Sequence, residues 1–247
     1  MKRHSILYLL PALLILAIVG CKDDPPTPDP AKFQLKFAWK WGNQDLVMDQ
    51  FYDDAPAGRR FSFQTFKYYI SNLELIKSDQ STVSVNKVAL FDLYEPTALS
   101  MEGEVPVGNY TGFKFALGLD SLQNGTAPSD YPVEHPMSSV NGMYWSWFTN
   151  YIFVKIEGSA DTIGGLDPDI FLFHVGLDSN RQDLAFTGQD IAVTEGATTQ
   201  RTVNIDLQKI FFGPNDTIFL PDTLLTHTTD DPALASRVMR NLKAAMQ

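Results

Sequence analysis

Three histidines are the residues best suited to chemistry in this chain once its first twenty residues are set aside. His135 lies in a proline-flanked loop, His174 lies inside the strongly apolar run 170–176, and His227 precedes a helical segment. A buried imidazole needs partners for its ring nitrogens, and it is also a good ligand for transition metals. His174 is therefore either a core histidine bonded to backbone groups or a metal ligand, and residue types alone leave both interpretations open.

Two tryptophans form the second notable group. Trp145 and Trp147 are two residues apart, so in an extended strand their side chains share one face. Such a pair packs as an aromatic plug in a core, stacks on a sugar, or places an oxidisable indole beside a metal. Taken without context, the spacing favours the core plug.

Composition excludes several other classes of site. The chain has 19 basic and 29 acidic residues, for a net charge of −10, which argues against nucleic-acid binding. With a single cysteine, Cys21, intramolecular disulfides and zinc sites with two thiolates are impossible. Walker, GxGxxG, HExxH and GxSxG motifs are absent from the sequence. We therefore expect a protein that is not an enzyme.

The N-terminus has the pattern of a bacterial lipoprotein. Lys2 and Arg3 precede the apolar run 6–19, which at about 14 residues is shorter than the roughly 20 that a membrane span needs. The run ends in Ile18–Cys21, which resembles a lipobox. The pattern predicts a signal peptide over residues 1–20 and a lipid on Cys21.

A Pro- and Asp-rich tether is predicted over residues 21–32, because PPTPDP at 25–30 favours extended structure. Lys22 and the two aspartates after it resemble a surface-export signal of some Gram-negative lipoproteins, although a solvated linker would have the same composition. We expect an outer-membrane lipoprotein that faces the periplasm or the cell surface.

The remaining domain, 33–247, is predicted to be mostly β. Phe33, Leu35 and Phe37 alternate with polar residues, as in a half-buried strand. Short strands separated by Gly, Pro, Asn and Asp favour a monomeric antiparallel β-sandwich of immunoglobulin-like type. The strand candidates are 33–41, 61–77, 83–93, 110–119, 151–157, 170–177 and 200–207.

Two details refine this prediction. The apolar parity changes twice within 61–77, which indicates β-bulges. At the C-terminus, Asp231 and Pro232 form a helix start, and apolar residues at helical spacing then predict one α-helix over 232–246.

Four stretches resemble the MbnP family, the methanobactin-associated copper-binding protein and its relatives. They occur in the family's order and span about 33–212, and Thr226-His227 resembles the start of the family's C-terminal region. The stretches are Lys67–Leu75, Val105–Tyr110 running into Phe113–Asp120, Gly142–Trp147 continuing to Tyr151, and Phe173–Gly176.

The resemblance implies an extracytoplasmic sandwich that binds copper through two histidines and a tryptophan oxidised to kynurenine by a di-haem peroxidase partner. His174 matches the histidine of the family's Phe-His-x-Gly strand, and Trp145 and Trp147 match its aromatic motif. Many members carry a further histidine after the asparagine that corresponds to Asn124, where this chain has Gly125. His135, about ten residues later, is therefore our expected second ligand.

We thus expect a membrane-anchored copper-binding or copper-handling lipoprotein. The alternative is a surface module that binds a glycan or protein and has lost its metal site. An oxidative enzyme with a surface copper is a third, weaker interpretation.

Overall fold

The computed structural model describes residues 30–54, 58–94, 100–146, 150–161, 168–213, 216–218 and 225–247. The predicted signal peptide, Cys21, most of the predicted tether and Trp147 lie outside these residues. The described strands are β1 Ala31–Trp41, β2 Gln44–Asp45, β3 Tyr52–Asp54, β4 Arg59–Ile76, β5 Thr82–Asp92, β6 Ser100–Val105, β7 Gly108–Leu117, β8 Tyr144–Trp145, β9 Asn150–Ala160, β10 Asp169–Gly176, β11 Gln182–Val193, β12 Thr198–Asp206 and β13 Leu225–Thr226. The α-helices are α1 Ser121–Asn124, α2 Gln208–Phe211 and α3 Pro232–Ala245.

The strands form two sheets that pack as a sandwich, as predicted. In the smaller sheet β1 lies between β12 and β6, and β2 continues its edge. The larger sheet runs in the order β11-β7-β4-β9-β10-β13, with β3 and β5 also paired to β4. Most pairs are antiparallel, but β1 pairs with β12 and β10 pairs with β13 in parallel. These two pairs add mixed character to the predicted antiparallel sandwich.

The long strand β4 organises the larger sheet, and it contains the predicted bulges. Its first half pairs with β9 and its second half with β7. The register to β9 shifts between Phe63 and Thr65, and the register to β7 shifts between Ser71 and Glu74. Each shift reverses the face that alternate side chains use, which explains the change of apolar parity.

Helix α3 begins and ends close to its predicted bounds. The Asp231 carboxylate accepts a hydrogen bond from the backbone N–H of Leu234, and Pro232 occupies the first turn, so the helix start is capped as expected. Leu234, Val238 and Leu242 are buried against the sandwich. None of the helices in the described part of the chain is long and apolar enough to cross a membrane.

The N-terminal boundary differs slightly from the prediction. Strand β1 begins at Ala31, so the last two residues of the predicted tether pair with Glu104 and Val105 of β6. Ala31 is buried because it starts the alternation that continues through Phe33.

Phe211 in α2 is the centre of the aromatic core. Its ring is fully buried, and it lies 4.6 Å from the ring centroid of Phe61 and 5.3 Å from that of Phe171. Four further aromatic rings lie within 6.5 Å of it: those of Trp41, Phe63, Phe173 and Phe212. Helix α2 thereby fastens β1, β4 and β10 to one another.

We predict that Phe211→Ala lowers the free energy of unfolding by about 3–5 kcal/mol, because it leaves a cavity among rings that cannot collapse into it. Phe212→Ala is the matched control, since this neighbouring ring is partly exposed. Equilibrium urea unfolding measures both changes. Equal losses in the two variants would contradict the central position of Phe211.

Candidate metal centre

Two histidine rings and one indole ring come together on the outer face of the larger sheet. The ring centroids of His174 and His227 are 5.2 Å apart, with the planes at 82°. The Trp145 ring lies 5.6 Å from that of His174 and 5.7 Å from that of His227. Each ring therefore contacts the other two, although the three residues are far apart in the chain.

Parallel pairing of β10 with β13 brings the two histidines together. Phe173 of β10 pairs with Thr226 of β13, and both residues are buried. The next residue along each strand is a histidine, so His174 and His227 leave the pair on the opposite face, towards solvent. His174 is only 11% exposed, while 47% of the His227 side chain is accessible.

Thr228 fastens the His227 segment to β10. Its hydroxyl accepts a hydrogen bond from the Gly176 N–H and donates one to the His174 carbonyl, both at 2.9 Å. Thr228 has a φ of 75°, which is rare for a β-branched residue and costs of order 1–3 kcal/mol. The Thr228 side chain therefore makes the hydrogen bonds to the edge of β10 that a further residue of β13 would otherwise make.

The His174 ring is oriented by a carboxylate, not by the main chain. Its Nε2 lies 2.8 Å from Glu157 Oε1, while the Thr65 hydroxyl donates to Oε2 at 2.7 Å. Burial raises the pKa of Glu157, but the hydrogen bonds from Thr65 and His174 and the charge of Lys155 outweigh it, so the net pKa is lowered. Burial also lowers the pKa of His174, which keeps this imidazole neutral.

The His227 ring is held in a similar way by Asp230. Its Nδ1 lies 3.1 Å from Asp230 Oδ2. The other carboxylate oxygen, Oδ1, accepts hydrogen bonds from the backbone N–H groups of His227 at 2.7 Å and Asp231 at 2.9 Å. Burial raises the pKa of Asp230, but these hydrogen bonds outweigh it and the net pKa is lowered.

Trp145 covers the pair of imidazoles from β8. This two-residue strand pairs with the start of β9, Trp145 opposite Asn150 and Tyr144 opposite Tyr151. The indole is partly buried, so it shields one side of the imidazole pair without closing it. Of the two predicted aromatic residues, Trp145 therefore reaches the site, while Trp147 lies outside the described residues.

The donor set fits a metal ion with few ligands. Two imidazoles that bind one ion at about 2 Å per nitrogen have centroids about 5–6 Å apart, in agreement with the observed spacing. Metal-binding histidines usually place their second ring nitrogen against a carboxylate or carbonyl, and His174 and His227 each have one ring nitrogen within 3.1 Å of a carboxylate oxygen. Within the described ranges, no group of three or more His, Cys, Asp and Glu residues is arranged to hold a metal. An ion here would therefore depend on the two imidazoles.

His135 is placed elsewhere by the structure. Its ring stacks on Tyr131 at 4.2 Å with the planes at 12°, and its Nδ1 accepts a hydrogen bond from the Met137 N–H. Burial lowers the pKa of His135. The structure thus sets His227 beside His174, the position for which the sequence suggested His135.

His227 was missed as a candidate ligand because its partner strand is only two residues long. The available signals were its match to the C-terminal part of the family pattern and the pair Asp230-Asp231 directly after it. The sequence predicted Asp231 as part of the helix start, which the structure confirms, whereas Asp230 lies against the His227 ring.

We predict that Thr228→Val lowers the free energy of unfolding by about 2 kcal/mol or more, because the Gly176 N–H and the His174 carbonyl both lose their partner. Valine keeps the β-branch and leaves the backbone strain unchanged. Thr228→Ser retains the hydroxyl and is expected to lose less than about 1 kcal/mol. Equal losses of unfolding free energy in Thr228→Ser and Thr228→Val, measured by urea unfolding, would show that the hydroxyl does not stabilise this attachment.

Comparisons with known proteins agree with this architecture. The MbnP family model matches residues 30–230. The fold is similar to that of MbnP from Methylosinus trichosporium, with a TM-score of 0.57 and 16% sequence identity over 83% of this chain and 87% of that chain. A comparison with curated protein sequences found no match.

At this identity the solved structure supports the fold alone, whereas the family model covers most of the chain, including every described strand of both sheets. The resemblance inferred from the four motifs is thereby confirmed, and the chain belongs to the MbnP family.

Proposed function

We propose that this protein binds copper between His174 and His227, next to Trp145. The observation that carries the proposal is the mutual contact of the three rings, with centroids 5.2–5.7 Å apart, while a carboxylate holds each imidazole from behind. No catalytic turnover is proposed, since two nitrogen ligands define a binding site and not a reaction.

The chemistry of the donors supports copper among the metals. Neutral imidazoles suit copper, and copper is bound most tightly in the divalent affinity series. Two nitrogen ligands beside an apolar indole favour Cu(I), because Cu(I) accepts a small number of ligands. Mg²⁺ and Ca²⁺ need more ligands and prefer oxygen atoms. The unequal exposure of His174 and His227 supports handling of the ion: one ligand is anchored, and the other is accessible from solvent.

The same proposal includes the envelope location and a redox partner. The lipobox that ends at Cys21 and the Pro-rich tether support a domain held at the outer membrane of a Gram-negative cell. Family resemblance supports a di-haem peroxidase as the partner that oxidises Trp145. The partial exposure of Trp145 is compatible with oxidation by another protein.

We predict that His174→Ala and His227→Ala each lose stoichiometric copper, while His135→Ala keeps it. Removing either imidazole leaves one nitrogen ligand, whereas the His135 ring stacks on Tyr131 away from the pair. Elemental analysis after loading with Cu(I) under reducing conditions, followed by desalting, measures the metal content of each purified protein. His135→Ala is the matched control because it also removes a partly buried histidine.

The opposite pattern, in which His135→Ala empties the protein and His227→Ala does not, would restore His135 as the second ligand and exclude the proposed pair. Equal copper in all three variants and the unsubstituted protein would exclude both pairs. The absence of copper from the unsubstituted protein after loading would favour the alternative function, a surface module that binds a glycan or a protein.

We also predict that co-expression with a di-haem peroxidase encoded nearby adds mass to the peptide that contains Trp145. The Trp145 indole would be oxidised. Trp41, which is buried in the core, and Trp39, which is partly buried against it and donates a hydrogen bond to the Tyr68 hydroxyl, would stay unmodified. Peptide mass spectrometry measures the change, and Trp145→Phe is the control. Equal modification of Trp39 would indicate unspecific oxidation.

A further inference from the structure

We infer that Glu157 and Asp230 hold the two imidazoles in opposite tautomers, so that His174 offers Nδ1 and His227 offers Nε2 to the metal ion. The part concerning the ion rests on the proposed copper site. The part concerning the tautomers belongs to the protein itself and is testable without metal.

For His174 the argument starts from the contact of Nε2 with Glu157 Oε1 at 2.8 Å. The other oxygen, Oε2, accepts a hydrogen bond from the Thr65 hydroxyl, and Lys155 Nζ lies 3.3 Å from Oε1, so the Glu157 carboxylate acts as an acceptor at both oxygens. Nε2 must therefore carry the proton. A neutral imidazole has one protonated nitrogen, so the lone pair that can bind a metal is on Nδ1.

For His227 the same reasoning gives the other nitrogen. Its Nδ1 faces Asp230 Oδ2 at 3.1 Å, while Asp230 Oδ1 accepts hydrogen bonds from the backbone N–H groups of His227 and Asp231, so this carboxylate also acts as an acceptor. Nδ1 therefore donates, and the lone pair is on Nε2. The tautomers of His174 and His227 differ because their carboxylates approach from opposite ends of the ring.

Both carboxylates are fixed before any ion binds. Glu157 is held at Oε2 by the Thr65 hydroxyl and at Oε1 by Lys155 Nζ at 3.3 Å, in addition to His174. Asp230 is held at Oδ1 by backbone N–H groups of its own turn. Glu157 and Asp230 thus act as positioning residues: they set which nitrogen is available, while the histidines bind the ion.

This assignment also places the ion relative to the sheet. Nδ1 is bonded to the ring carbon that carries the side-chain stem, whereas Nε2 is at the far end of the ring. His174 would therefore bind close to the surface of β10, and His227 would reach its ion with the tip of the ring. The proposed site would therefore combine one nitrogen that lies close to the sheet surface with one nitrogen at the far end of a ring.

The direct test is long-range proton–nitrogen correlation NMR on the metal-free protein at about pH 8, with resonances assigned through His174→Ala and His227→Ala. The expected result is a protonated Nε2 with a bare Nδ1 in His174 and the reverse in His227. The same tautomer in both residues, or rapid averaging in either, overturns the inference.

Metal binding supplies a second readout. Glu157→Gln keeps the size of the side chain, but its amide can donate as well as accept, so the His174 tautomer is no longer imposed. We expect a mixed tautomer in the spectrum and a Cu(I) affinity about 10- to 100-fold lower in competition with a chromophoric chelator. Asp230→Asn should act in the same way on His227.

Glu74→Gln is the matched control, because Glu74 is also a strand carboxylate paired with a lysine, Lys114, but it lies outside the ring cluster. It should change neither the tautomers nor the affinity. An unaltered affinity in Glu157→Gln and Asp230→Asn overturns the positioning role. Native tautomers in a protein that binds no copper would reject the proposed function and leave the tautomer assignment standing.

Discussion

The hydroxyl of Thr228 joins the segment that carries His227 to the strand that carries His174. Strand β13 contributes only two paired residues, so main-chain pairing by itself is a weak attachment. The two hydrogen bonds of Thr228 extend that attachment to Gly176 while the main chain turns away towards α3. A backbone strained at this position persists only where surrounding interactions compensate for it, and strain of this kind is concentrated at functional sites.

The electrostatics of the centre follow from the same placement. Each imidazole lies beside a carboxylate that other groups also bind: Thr65 and Lys155 contact Glu157, and backbone N–H groups donate to Asp230. Lys155 Nζ lies 3.3 Å from Glu157 Oε1 and balances part of the negative charge beside His174. The Trp145 indole covers one side of both imidazoles with an apolar surface, whereas a polar side chain there would bind water.

Local patterns in the sequence were sufficient to predict most strands of the sandwich and one of the two histidines of the site, His174. Alternation located β1 and β4, and the change of parity located the bulges, because burial of one face imposes a period of two. A continuous apolar run located β10. Strand β11 was missed since its outward residues are polar and Gly188 interrupts it with a positive φ.

The second histidine could not be found from local patterns. Its position depends on a parallel pairing between β10 and residues about fifty positions later in the chain. The spacing of apolar residues within one segment does not show which distant segment that segment pairs with. His135 attracted attention through its distance along the chain from the family's usual ligand position. In the structure His135 stacks on Tyr131, and its carbonyl accepts a hydrogen bond from the Asn141 side chain.

The parallel pairing of β1 with β12 has a consequence for how the protein reaches its native state. Phe33 lies opposite Thr199, so β1 can pair with β2 and β6 early, but its β12 side stays unpaired until residues 198–206 have emerged. Contacts between such remote segments slow folding, and an incomplete chain would leave the β1 edge open to aggregation.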